Sequence, residues 1–483
     1  VLQSSAPLAL NPLKLLAFAG IGVVAIFWLL GQWILADHEK MHRDEGHLKQ
    51  ITQHSSTAHN PLASVDRFSS GERVLFKYRG NFERDRGVKA FAAGDYSTAI
   101  TQFQQAIQSA PNDPESQIYL NNAKARQQGN PYLLAAVVPV DNQASSAEEM
   151  VRGVADAQTQ FNDAGGDRLL EIHLVNDGND PSVAAAIANH LANHSEVLGI
   201  IGHNSSDASL AALPEYEKVG MAMISPTSTS TELKGDSFFR TPPSDLASGR
   251  TLAGYAAHSL TRVVVFSDSQ SSYSKSLQQS FEQAFVQTGG DIINVVDLAN
   301  SGFDAQSAIQ SASESGAEGA LLFPSTKTVS GAIAIARANA GLPSDKRLQL
   351  IGGDALYNPS LLLNGQSAVE GFVLAVPWVA ETEYAERSAR RWGGQISWRT
   401  AMSFDAALAF IHALSNGVSR NDLVENLKQV RLFEATSGGS LQFSSGERGE
   451  PILVEVAQGS GGPDGSKLTF QRLEQPDVKQ SVK

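Results

Sequence analysis

From Leu15 to Leu35 the chain runs LLAFAGIGVVAIFWLLGQWIL, twenty-one residues without a charge and with Trp28 and Trp33 toward one end. That length spans a bilayer as a helix. The run passes straight into Ala36-Asp37-His38-Glu39 with no small-residue cleavage site, so it reads as an uncleaved anchor rather than a signal peptide. Lys14 stands alone on one side, with Lys40, Arg43 and Lys49 on the other among four acids; the positive-inside count taken alone therefore argues against an exterior placement of the residues beyond the run. Residues 36–79 are polar and show no sustained apolar period, which predicts a solvated linker. After it, GVKAFAAGDYSTAITQFQQAIQSAP sets small and apolar residues where two antiparallel helices need them, with Gly94-Asp95 as the turn and Pro111 as the stop. A third helix is expected from Pro114 to Arg126.

From Pro131 the pattern changes to apolar strands alternating with amphipathic helices. LLAAVVPV, LEIHLVND and VLGIIGH are strands of a first set, and RVVVFSD, DIINVVDL, GALLFPS and LQLIGGD belong to a second. The helix between the first two strands is expected to end at Gly165-Gly166. Two sets of strand-helix alternation predict two doubly wound parallel sheets. In such sheets ligands bind beyond the carboxyl ends of the strands, so the loops after the strands are where binding residues belong.

Composition narrows the function classes. The 483 residues are 42% hydrophobic and 18% charged, an ordinary globular balance. Net charge is −13, with 50 acidic and 37 basic residues and no basic stripe, which excludes nucleic acid as the natural partner. There is no cysteine, hence no disulfide framework and no thiolate metal site. His38-Glu39-Lys40-Met41-His42 satisfies the H-E-x-x-H spacing of zinc hydrolases. It lies in a segment too polar to bury a catalytic cleft, and is read as coincidence. GSGGPDGSK lacks the Gly-Lys-Ser/Thr ending of a phosphate loop, and no G-x-S-x-G elbow occurs. No catalytic residue, cofactor or metal is expected.

The stretch GHNSSDASLAALPEYEKVGMAMISPTSTSTEL, residues 202–233, carries the most chemistry. Ser206 falls at a predicted helix start after a strand end, where free N–H groups and the helix dipole favour an anion such as an α-carboxylate. Thr227, Ser228 and Thr229 lie in the following turn, where N–H groups and hydroxyls can complete that cradle. Thr229 with Glu232 three residues on equally fits a capping box for a next helix.

This order of Gly-His strand end, Ser-containing helix start, Ile-Ser-Pro strand and Thr-rich turn resembles the type I periplasmic solute-binding proteins of the leucine/isoleucine/valine-binding branch. MVRGVADAQTQFNDAGG and NDGNDPSVAAAIANHL extend the similarity, which covers about residues 131–475. The resemblance implies two doubly wound lobes joined by a hinge, lobe 1 being 131–258 and 376–440 and lobe 2 being 259–375 and 441–475. It also implies that Tyr273 covers the ligand and that Asp354 pairs with its ammonium; otherwise Tyr273 only packs, and Asp354 only caps the turn at Asn358-Pro359 or the helix after it. The loop VPVDNQASS lacks an aromatic residue, and Thr326 stands near where relatives often carry a tyrosine. Ligand class is then expected to transfer and ligand identity not. Trp398 and Arg399 are read as structural.

Gly87, Ala90, Gly94, Tyr96, Ala99, Phe103, Ala106 and Pro111 are spaced as in one tetratricopeptide repeat, residues 80–127. A single repeat needs a neighbour to lean on. With tails at 1–14 and 476–483, the whole reads as a membrane-anchored binding protein. It would hold an amino-acid-like ligand outside the cytoplasm and work with an ABC permease and ATPase supplied by other chains. The rival readings are a sensory ectodomain signalling to a part upstream of Val1, and a scaffold that binds protein through residues 80–127.

Overall fold

The computed structural model describes residues 65–473 apart from 416–417, 434–435, 444–448, 460–461 and 464–465. The apolar run at 15–35 and the zinc-like spacing of His38, Glu39 and His42 lie outside the described residues. Among the described residues, no helix is long and apolar enough to cross a membrane.

The first sheet holds β1 (Phe68–Ser69), β2 (Tyr132–Val138), β3 (Leu170–Asn176), β4 (Val197–Ile201), β5 (Ala222–Ser225) and β6 (Phe238–Arg240), in the order β1-β3-β2-β4-β5-β6. The second holds β7 (Arg262–Ser267), β8 (Asp291–Asp297), β9 (Gly319–Phe323), β10 (Gln349–Gly352) and β11 (Val373–Val376). The ribbon β12 (Arg431–Leu432) and β13 (Leu441–Gln442) stands apart, while β14 (Ile452–Gln458) and β15 (Leu468–Arg472) complete the order β15-β14-β11-β10-β9-β7-β8. The central strands of both sheets are continuous buried runs, such as Leu134 to Val138, as sheets covered by helices on both faces require, whereas the edge strand β8 is half-exposed.

Neither sheet is purely parallel, which corrects the sequence expectation. β1 runs antiparallel to β3, β14 antiparallel to β11 and β15 antiparallel to β14. In each case the odd strand comes from a segment outside the strand-helix alternation, so no helical crossover forces it to be parallel.

Two boundaries also move. The stretch through residue 79 is not a solvated spacer over its described part: Leu75 and Phe76 are buried in the core, and β1 pairs with β3. The first passage between lobes precedes the helix Asp245–Ala256, not residue 258. That helix buries Leu252, Ala253 and Ala256 in the core of the second sheet, beside Leu277 and Phe281 of the helix Ser272–Gln287. After β11 the chain returns to the first lobe, where the helix Trp398–Leu414 is buried along nearly its whole length.

The helices Phe82–Ala92 and Tyr96–Ser109 turn at Gly94, which sits at φ +75°, and Asp95 caps the second by accepting from Thr98 N. With the helix Pro114–Gln128 they share one apolar core with the first lobe, in which Phe103 and Tyr119 are continuous with Val154 and Phe404. Arg84 is buried there between Glu115, 3.1 Å away, and Asp113, 3.4 Å away.

Candidate functional site

The cleft between the lobes contains a cavity of about 500 Å³ bounded by the carboxyl ends of strands from both sheets. A second cavity of about 950 Å³ adjoins it and shares Asn179, Pro181, Thr326, Lys327, Ala355 and Arg399 with the first. Ser206, Thr227, Tyr273 and Asp354 all line the smaller cavity. Residues 206 and 227 come from the first lobe, 273 and 354 from the second.

On the first lobe, β4 is followed by Gly202, whose φ of +141° leaves its Cα against Val137 O; an added Cβ would meet that oxygen at 2.5 Å. His203 comes next, fully buried, with Nδ1 2.7 Å from Asp177 and Nε2 3.1 Å from the Tyr216 hydroxyl. These contacts fix the loop into the helix Ser206–Glu217. Ser205 is the N-cap, accepting from Ala208 N, so Ser206 is the first helical residue, among those whose N–H has no partner within the helix, and it lines the cavity. The Ser206 hydroxyl accepts from Ser230 N at 3.4 Å, a long contact.

The three hydroxyls of the turn divide differently from the sequence expectation. Thr227 donates to the carbonyls of Asn204 (2.7 Å) and His203 (3.2 Å), so its hydroxyl hydrogen ties two loops together. Ser228 is fully buried, pairs with Ser209 at 2.8 Å and does not line the cavity. Thr229 is buried too, also outside the cavity lining, with a hydroxyl that has no hydrogen-bond partner. No helix starts after Glu232, so the capping-box alternative for Thr229 is overturned. The physical reason is burial: the Thr227 hydroxyl is taken up by backbone carbonyls left bare where β4 ends, and that of Ser228 by the neighbouring Ser209.

On the second lobe, Tyr273 is the second residue of the helix Ser272–Gln287, which Ser271 caps. Its hydroxyl donates to Asp354 Oδ1 at 2.5 Å and accepts from Ala355 N at 3.3 Å. Asp354 lies just past β10 and is partly reachable from the cavity, yet otherwise enclosed by protein. That enclosure pushes its carboxyl above the usual range, while the Tyr273 hydrogen bond and the Arg399 charge pull it back down. Asn358, not Asp354, caps the helix Pro359–Gly365.

Arg399 and Trp398 also line the cavity, against the structural reading of the sequence. They are the first two residues of the helix Trp398–Leu414, capped by Ser397. Gly153 lets that helix approach: a Cβ there would stand 2.1 Å from Thr400 O. Thr400 in turn donates to Glu149 O at 2.9 Å. The signal present in the sequence is a Trp-Arg pair at a helix start facing the lobe junction, but nothing local says that such a pair reaches a cleft.

The lobes meet across the cleft. Asp207 accepts from both Ser272 N (3.0 Å) and the Ser272 hydroxyl (2.5 Å), Gln143 donates to Thr326 at 2.7 Å, and Thr231 N donates to Ser276 at 2.9 Å. Among the described residues no cluster of metal-ligating side chains occurs.

Comparison with known proteins gives the fold a family. An "Amino acid binding protein" of Pseudomonas aeruginosa is 33% identical over 92 residues, which is 19% of this chain and 25% of that protein. A "Leucine-specific-binding protein" of Salmonella typhimurium is 27% identical over 217 residues, 44% of this chain and 57% of that protein. The chain therefore spans from a quarter to somewhat over half the length of these curated relatives. Among solved structures, a leucine binding protein of Thermotoga maritima superposes with a TM-score of 0.61 at 21% identity, covering 70% of this chain and 97% of that one. A solute binding protein of Rhodopseudomonas palustris, in complex with 3,4-dihydroxy benzoic acid, does so equally well at 0.61 with 17% identity, covering 71% and 96%. The shared fold leaves the ligand to be argued from the side chains. Residues 141–453 match the profile of the family described as "Periplasmic binding protein", and the chain belongs to that family.

Proposed function

We propose that this chain captures a small amino-acid-like zwitterion by closure of its two lobes and delivers it to an ABC permease, with ATP hydrolysis carried out by a separate chain. The observation that carries the reading is the pair Asp354 and Ser206, which line one cavity from opposite lobes. An acceptor-only carboxylate on one wall suits an ammonium, and a helix start with free N–H groups on the other suits a carboxylate. Ligand contacts made from both walls exist together only when the lobes meet, so binding shifts the population toward the closed form. Thr227 serves through the loop it ties, and Ser228 and Thr229 support the cradle from behind.

The chain does no chemistry on its ligand in this reading. Residues 15–35 tether it to a membrane with the lobes on the extracytoplasmic side. Residues 80–127 form a single tetratricopeptide-like unit that leans on the first lobe, and its free surface is open to a partner. Thermal denaturation of the full chain against a panel of amino acids tests the capture: at least one must raise the midpoint in a concentration-dependent way, because a ligand that binds only the native state stabilises it. A midpoint unmoved by every amino acid sinks the reading.

A further inference from the structure

The cavity beyond Asp354 and Ser206 must take the rest of the ligand, and its walls are not those of a branched-chain pocket. Leu298 is the one branched aliphatic side chain among its lining residues. Two residues that carry buried, unpartnered donors line it instead. Arg399 is 7% exposed and its Nε has no hydrogen-bond partner; Trp398 is 2% exposed and its indole Nε1 has none either. The guanidinium lies over the Trp398 ring at 4.6 Å, and its nearest anion is Glu149, 3.6 Å away and too far for a hydrogen bond. A buried N–H without an acceptor is costly, so both groups call for one.

Apart from Asp354, the acids of the cavity are already engaged. Asp207 accepts from Ser272, and Asp268 accepts from Ser325 at 2.6 Å, Thr328 at 3.2 Å and Gln270 N at 2.9 Å. Lys327 adds a further cation to the lining. Arginine, lysine and tryptophan side chains offer donors and no acceptor. A side-chain amide would bring an NH2 that these three groups cannot receive, whereas a carboxylate brings acceptors alone, and arginine holds carboxylates well.

We infer that the ligand is a dicarboxylic amino acid whose side-chain carboxylate is received by Arg399 and the Trp398 indole N–H. This rests on the capture reading and adds the ligand's second charge to it. The nearby Glu149 keeps Arg399 from being an unbalanced buried cation, and its contact of 3.6 Å is too long to hold the guanidinium by a hydrogen bond.

Isothermal titration of the full chain with L-glutamate, L-aspartate, L-glutamine, L-asparagine and L-leucine tests it. At least one of the two acids is expected to bind about tenfold to a hundredfold more tightly than its amide and than leucine, the range of one charge-assisted hydrogen bond gained or lost. Arg399→Gln should erase that preference while changing amide affinity far less. Trp398→Phe, which removes only the N–H and keeps the ring bulk, should reduce it part of the way. Leucine or an amide binding as tightly as the acids overturns the inference and leaves the capture reading standing. Equal loss for acid and amide in Arg399→Gln overturns it as well, because Arg399 would then act only on Asp354 or on packing. No binding by any of the five removes this inference, and the wider amino-acid panel then decides the capture reading.

Discussion

The Tyr273 hydroxyl donates to Asp354 Oδ1 at 2.5 Å, so the acid that faces the cavity is oriented from within its own lobe before any ligand arrives. Tyr273 stands at a helix start and Asp354 at a strand end 81 residues later, and both emerge from the second sheet. One Asp354 oxygen is thereby taken as acceptor, leaving the carboxylate's remaining lone pairs for the cavity. An ammonium arriving there meets a fixed partner and spends little on ordering it.

Asp354→Ala should therefore cost more affinity than Ser206→Ala. Removing the acid leaves a desolvated ammonium unpaired, on the order of 2–5 kcal/mol. Removing the Ser206 hydroxyl takes away one neutral donor to a charged acceptor and keeps the backbone N–H groups, roughly 1.5–3 kcal/mol. Titration calorimetry with whichever amino acid the thermal panel selects reads both. Unchanged affinity in Asp354→Ala would mean that no ammonium sits there, and the amino-acid assignment goes with it.

The legible part of the fold is the part governed by local period. Gly165-Gly166 marks the end of the helix after β2 in the sequence, and the helix does stop there, with Gly165 at φ +76°. The site is legible where a residue's role comes from its place on an element, as with Ser206 at a helix start. It is illegible where the role depends on a partner far along the chain. Arg399 reaches the cleft because Gly153, 246 positions earlier, lets two helices touch, and neither residue's neighbours record that. Ser228 has the look of a ligand hydroxyl in the sequence, but its hydroxyl is taken up by Ser209. The antiparallel strands β14 and β15 escape for a similar reason: a short apolar strand has the same period whichever way its neighbour runs.

Arg84 offers a test of how firmly the helical segment is held together around its buried charges. Its guanidinium is enclosed with Glu115 and Asp113, and burial pushes Glu115 up to about 7 even with that cation beside it. Glu115 also accepts from Leu75 N at 2.6 Å and from Tyr119 at 2.9 Å, so it ties the segment before the first helix to the third helix. Arg84→Met leaves two buried acids without their cation and should destabilise by about 3–5 kcal/mol. Urea denaturation measures it, and Arg84→Met combined with Glu115→Gln should recover part of the loss. A loss below about 1 kcal/mol in the single variant would mean that water reaches the pair.

Asp245 gives the stability a pH dependence with a definite sign. It opens the helix Asp245–Ala256 at the passage between the lobes, is 1% exposed, and its Oδ2 has no hydrogen-bond partner. Burial first raises its carboxyl from 3.8 to about 7; the neighbouring Asp354 charge pushes the same way, while Thr229, Ser276 and Arg240 oppose. The folded chain thus keeps a proton that the unfolded chain releases above about pH 4, and wherever the folded state binds more protons stability falls as pH rises. This contribution is complete below about pH 4 and is lost by the time pH has passed about 7, a change of up to roughly 4 kcal/mol. His173 works in the opposite sense, since burial lowers it to about 4 and stability gained from it rises with pH, but it is common to both chains in a comparison. Asp245→Asn cannot titrate, so its stability between about pH 4 and 8, read by urea denaturation, should fall less with rising pH than that of the unaltered chain. Parallel curves for the two chains would mean that Asp245 is already ionised in the folded state at about pH 4.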